Sequence, residues 1–104
     1  MAEAIGLIAS LVSIAGAGLT LAQKLHDYGD GVGSSGKRTQ EIAFYVRSTA
    51  TVVEEVANIF EEERIARQNL ISQKAIQAVE DVVKQCSALF DQLNQWLDRA
   101  GNSV

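Results

Sequence analysis

The chain has 104 residues, 47% of them apolar, enough for one small domain spanning residues 1–104 and too few for two. Its 9 Lys and Arg against 13 Asp and Glu leave a net charge of −4, without the basic footprint that a phosphate backbone requires, so no nucleic acid is expected as a partner. A single Cys and a single His exclude an internal disulfide and an ordinary zinc site, while the lack of Pro and the presence of only one Trp, two Tyr and three Phe favour long helices over strands.

The first helix is expected from about residue 2 to 28, and it differs in kind from the rest. Residues 4–23 are twenty positions without a charge, rising about 30 Å, the thickness of a bilayer's hydrocarbon core. The large aliphatics Ile5, Leu7, Ile8, Leu11, Val12, Ile14, Leu19 and Leu21 contribute about −2.5 to −5 kcal/mol on an insertion scale. Gly6, Gly16, Gly18, the hydroxyls and Gln23 offset most of that, so the balance lies near zero and suits conditional insertion better than permanent anchorage. Ala15, Gly16 and Ala17 have the form of a small-residue cleavage site, but the stretch before them carries Glu3 and no Lys or Arg, which argues against a secretory signal.

Two readings of this helix stay open, a membrane-active segment and the central buried helix of a soluble bundle. Glu3, Gly6, Ser10, Ser13, Ala17, Thr20, Lys24 and Asp27 are spaced by threes and fours, forming a narrow seam of small and polar side chains. In a folded monomer the seam faces water. In a membrane it lets helices approach closely or lines a wet lumen.

Residues 29–36 hold four of the eight glycines, a connection by backbone entropy alone. Residues 31–38 nearly spell the phosphate-binding pattern G-x-x-x-x-G-K-[ST], but Arg38 stands where a Mg²⁺-ligating hydroxyl is needed. The stretch also follows a helix where that pattern needs a strand, so it reads as a flexible connection. The second helix is expected over about 37–64, with an apolar stripe of Ile42, Val46, Thr49, Val53, Val56 and Phe60.

A softer break follows over 65–71. Ser72 is an N-cap candidate, and Ile71 and Ile76 stand where a hydrophobic staple places them. The third helix is expected over about 72–99, with Gly101 as a terminating residue. It carries a stripe of Ile76, Val79, Val83, Cys86, Phe90, Leu93 and Leu97, and beside it a second row of Ala75, Val82, Leu89 and Trp96, wide enough to touch two neighbours.

The expected architecture is all-α, an antiparallel up-down bundle of three long helices. The second row leaves room for a fourth helix in a longer parent protein. Val46, Val53, Val56, Phe60, Val79, Val83, Cys86, Phe90, Leu93 and Leu97 are the candidate core of the second and third helices. Glu54, Glu55, Glu61, Glu62, Glu80, Lys84, Asp91 and Asp98 occupy the outward positions and make the surface acidic.

No catalytic constellation emerges. His26 has no Cys or second His near it, and Cys86 sits on an apolar stripe, where it is most simply a small core residue. The acid pairs Glu54-Glu55 and Glu80-Asp81 are adjacent, which splays them on a helix instead of converging them. No enzyme activity, cofactor or metal is expected. Lys37, Arg38 and Arg47 are a thin basic cluster, worth about 1 kcal/mol each near anionic lipid. Membrane attraction would therefore come from burial of the first helix or from many copies acting together.

The opening Met1-Ala-Glu-Ala-Ile-Gly-Leu-Ile-Ala-Ser-Leu-Val-Ser-Ile-Ala15, followed by Leu25-His-Asp-Tyr28, resembles the N-terminal helical domains of filamentous-fungal STAND and NLR-type proteins, and among these the HeLo-like domains. The likeness covers the first helix, the Gly-rich turn loosely, and the later helices by pattern. It implies a helical bundle that executes heterokaryon-incompatibility-like programmed cell death by membrane permeabilisation. Such a bundle is similar in architecture to the four-helix domain of mixed lineage kinase domain-like proteins and to the coiled-coil domains of plant immune receptors.

In such relatives an apolar N-terminal helix acts on the membrane and acidic residues near its start matter, which here implies residues 4–22 and Glu3. The inserting residues would be Glu3, Ile5, Gly6, Leu7, Ile8, Leu11, Val12, Ile14, Leu19 and Leu21. The expectation is a protein cytoplasmic at rest and at the plasma membrane when activated. Homo-oligomerisation would activate it, membrane lipid would be its partner, and an upstream NLR or amyloid-signalling protein its trigger. The alternative is a non-lytic helical interaction or oligomerisation module of a fungal signalling protein.

Overall fold

The computed structural model describes residues 2–33, 36–67 and 70–102. Three long helices account for nearly all of them: α1 (Ala2–Gly31), α2 (Gly36–Ala66) and α3 (Gln73–Asn102). Together they form a slender bundle of 52 × 17 × 17 Å, with no strand among the described residues.

α1 runs three residues further than its glycine content suggests. Gly29 and Gly31 stay helical, and Gly29 lies against the start of α2, where an added Cβ would stand 2.7 Å from Gln40 Cγ and 2.8 Å from the Gly36 carbonyl oxygen. Contact, rather than loop flexibility, is what the glycine serves here. The Gln40 side-chain amide donates to Asp30 Oδ1 at 2.6 Å, fastening the end of one helix to the first turns of the next. Gly33 alone among the described glycines of this connection takes the left-handed conformation, at φ 68°. Ser34 and Ser35, the middle of the phosphate-loop-like stretch, lie outside the described residues.

The second break is built from local hydrogen bonds. Arg67 adopts φ 55°, and its N–H donates to the Glu63 carbonyl at 2.8 Å, an αL cap that closes α2. The Glu63 carboxylate accepts the Ile71 N–H at 2.8 Å. Ser72 Oγ accepts the Ala75 N–H at 3.1 Å, making Ser72 the N-cap of α3, while Ile71 and Ile76 pack against the same cluster. The break therefore spans 67–72, slightly later than 65–71. At the far end Gly101 lies within α3 rather than ending it; it is exposed, with open space around its Cα.

Two apolar clusters run along the bundle. One joins Leu21, Ala22 and Leu25 of α1 to Ala43 and Val46 of α2 and to Cys86 and Phe90 of α3. The other joins Leu7, Leu11 and Ala15 to Val53, Ala57 and Phe60, with Val56, Ile76, Val79 and Val83 packed on it half-buried. α1 is the shared partner: α2 and α3 each lie against it, but among the described residues no Cα of α2 comes within 8 Å of a Cα of α3.

The buried seam of α2 is Gly36, Thr39, Ala43, Val46, Ala50, Val53, Ala57 and Phe60, an unbroken alternation of three and four. This corrects the expected stripe. Val46, Val53 and Phe60 are shared with it, but Ile42 and Val56 are half-buried and Thr49 is exposed. Their places are taken by Ala43, Ala50 and Ala57, whose small side chains let α1 and α2 lie close. α3 fully buries only Cys86 and Phe90 among its described residues; Val79, Val83, Leu93 and Leu97 pack half-buried against the two clusters.

Candidate functional site

α1 presents three different faces. Its inner face is buried: Leu7, Leu11, Ala15, Leu21, Ala22 and Leu25. The seam of Gly6, Ser10, Ser13, Ala17, Thr20, Lys24 and Asp27 is exposed along its whole described length. Between them runs an exposed aliphatic row at seven-residue spacing, with Ile5 56%, Val12 58% and Leu19 38% exposed. Ile8 and Ile14 are half-buried at the edges. Of the residues implied for insertion, Leu7, Leu11 and Leu21 thus hold the bundle together, while Ile5, Gly6, Val12 and Leu19 are open to solvent. The side chain of Glu3 lies outside those described.

The stretch Ile5–Gly31 is long and apolar enough to cross a membrane, its most apolar 18-residue window having a mean hydropathy of 2.0. The core helix of a soluble protein meets the same length and composition test. Here only 33% of the best window is buried, so much of the apolar surface of α1 is covered by neither α2 nor α3.

Gly18 marks the tightest point of the bundle. A Cβ added there would stand 2.9 Å from Ala50 Cβ and 2.9 Å from Phe90 Cε2, so the three helices meet over a glycine with no room for any side chain. Sequence reasoning placed Gly18 among the residues that weaken insertion and did not identify this contact. The available signal was the heptad row Gly36, Ala43, Ala50 and Ala57, which reads as a close-packing seam once small residues are counted as apolar.

Because α2 and α3 splay apart, a groove of ≈ 580 Å³ opens between them, lined by Ile42, Tyr45 and Thr49 on one side and Leu89, Leu93 and Trp96 on the other. Trp96 packs edge-on to Tyr28, with ring centroids 5.4 Å apart. The expected second row of α3 is exposed along this flank, with Val82 46%, Leu89 57% and Trp96 40% exposed.

Among the described residues no group of three His, Cys, Asp or Glu side chains is placed to hold a metal ion. Cys86 is free and buried, and burial pushes its thiol pKa up, away from the thiolate that a nucleophile requires. His26 Nε2 lies 3.8 Å from Asp30 Oδ2 on the exposed end of α1. Arg64 pairs with Glu61 through two hydrogen bonds of 3.0 and 2.6 Å, and that hydrogen bonding holds the Glu61 carboxyl below its ordinary value.

No family model matches the chain, and comparisons with curated proteins and with solved structures found no match.

Proposed function

We propose that the protein is a HeLo-like, membrane-permeabilising cell-death domain, dormant in the cytoplasm and activated when copies are brought together. Its three helices run up, down and up. The pairing of Leu7–Ala15 neighbours with Val53–Phe60, and of Leu21–Leu25 with Ala43–Val46, supports that antiparallel order. On activation α1 leaves the bundle and enters the plasma membrane, while α2 and α3 serve at rest as the scaffold that covers its inner face. An upstream NLR or amyloid-signalling protein supplies the proximity.

One observation carries this reading. Residues 4–23 carry no charge and are long enough to span a membrane, only a third of the residues in the most apolar window of α1 are buried, and the row Ile5, Val12 and Leu19 faces water. Such a helix is stable in the bundle and has little to lose in lipid. The second reading, a non-lytic interaction module, is favoured by the exposed rows on the other helices, Val52 and Ile59 on α2 and Val82, Leu89 and Trp96 on α3, which are docking surfaces in their own right.

Dye release separates the two. The full chain, fused to a multimerising domain and added to anionic vesicles, should release dye in proportion to the degree of multimerisation. An interaction module in the same format would assemble on or off the vesicles and release none.

A further inference from the structure

We propose that the groove between α2 and α3 receives the outer face of α1 from a second copy of this chain, in a head-to-tail contact. The groove is uncharged along most of its length. Ile42, Tyr45, Thr49, Leu89, Leu93 and Trp96 line it, with Arg99 at one end. A helix laid into it must bring no charge of its own, because a carboxylate buried against apolar walls without a partner is costly.

Within a copy of this chain only α1 meets that condition. The outward faces of α2 and α3 carry exposed Glu54, Glu55, Glu62, Asp81, Asp91 and Asp98, which repel a second chain of net charge −4. The exposed row of Ile5, Val12 and Leu19 lies in the stretch with no ionisable side chain at all.

Dimensions agree as well. Cys86 to Arg99, the part of α3 that lines the groove, rises about 20 Å, and Ile5 to Leu19 rises about 21 Å. The three aliphatic knobs would therefore run the whole length of the groove.

The two surfaces are different, so the contact is heterologous: each copy offers a knob row to one neighbour and a groove to another, and assembly continues into a ring or filament. A strip about 20 Å long and one helix wide buries a few hundred Å² per partner, below the roughly 1,200 Å² total of a stable complex. Dispersed copies therefore stay apart, and copies held together assemble. This names the partner for the assembly step of the function proposed above and rests on that reading for its purpose, but the contact itself forms without lipid.

The experiment is disulfide mapping of full-length chains in a Cys86→Ala background. Val12→Cys chains are mixed with Leu89→Cys chains at high concentration under mild oxidation. Mixed Val12–Leu89 cross-links should exceed either self-cross-link by about tenfold or more, and a chain carrying both substitutions should give a ladder of multimers. A statistical mixture, a predominance of either self-cross-link, or closure at the dimer overturns the proposal.

A second measurement leaves Cys86 in place. Trp96, the sole Trp, should shift its emission to the blue as concentration rises, and Val12→Glu should abolish the shift. Emission that does not change with concentration overturns the contact. Dye release that persists in chains showing no cross-link leaves the membrane reading standing and refutes this contact alone.

Discussion

Among the described glycines Gly36 has the least room for a side chain. A Cβ there would collide with the Gly29 carbonyl oxygen, and a backbone oxygen cannot step aside as a side-chain tip can. Gly36→Ala gains about 0.5–1 kcal/mol of helix propensity but meets an overpacking cost of about 1–3 kcal/mol or more. The net outcome is destabilisation, read as a lowered midpoint in denaturant. Arg67 is the opposite case. Its left-handed conformation costs about 1–2 kcal/mol, and Gly's greater unfolded-state entropy returns about 0.4–1 kcal/mol of any gain. Arg67→Gly should therefore raise Tm by a few degrees. A fall in Tm would mean that the αL cap is not what closes α2. In the sequence the glycines of 29–36 were legible as a break between helices. That Gly29 and Gly36 touch, and that Gly18 leaves room for Phe90, was not, because a glycine's spacing carries no mark of what approaches it.

Among the helices, α3 is held most loosely. α2 buries eight residues along its length, whereas α3 fully buries Cys86 and Phe90 and, over 73–85, no residue at all. Local opening follows burial, so amide exchange should be fastest in the first half of α3 and slowest in the α1 and α2 segments around Ala22 and Ala50. Uniform protection across the three helices would contradict this order. The start of α3 was readable because its signals are local: Ser72 and the two isoleucines flanking it act within one turn. The α2 seam keeps the expected row Val46, Val53 and Phe60, but its other row lies one position away from the expected one, for the opposite reason. Side-chain size selects Ile42 and Val56, and the spacing between them brings in Thr49, while close approach of α1 selects Ala43, Ala50 and Ala57. Which of two adjacent rows faces inward depends on the partner helix, and no residue of α2 encodes that alone.

For the molecule as a whole, the question is what holds α1 and what would draw it out. Leu7, Leu11, Leu21 and Leu25 are each at most 6% exposed, and their burial is worth about 1.5–3 kcal/mol apiece, or roughly 6–12 kcal/mol together. Release into water forfeits that sum, so α1 does not leave the bundle until lipid can cover the same side chains. Val12 and Val52 allow this to be tested without disturbing the core. They are 58% and 62% exposed, on α1 and α2 respectively, so Val12→Lys and Val52→Lys should fold equally well. A Lys at the centre of an inserted helix costs about 2.5–3.5 kcal/mol, a hundredfold or so in the insertion equilibrium of each copy. The decisive measurement is dye release from anionic vesicles by multimerised full-length protein carrying one or the other substitution. Release should collapse for Val12→Lys and persist for Val52→Lys; equal release by the two variants would mean that α1 does not enter the membrane.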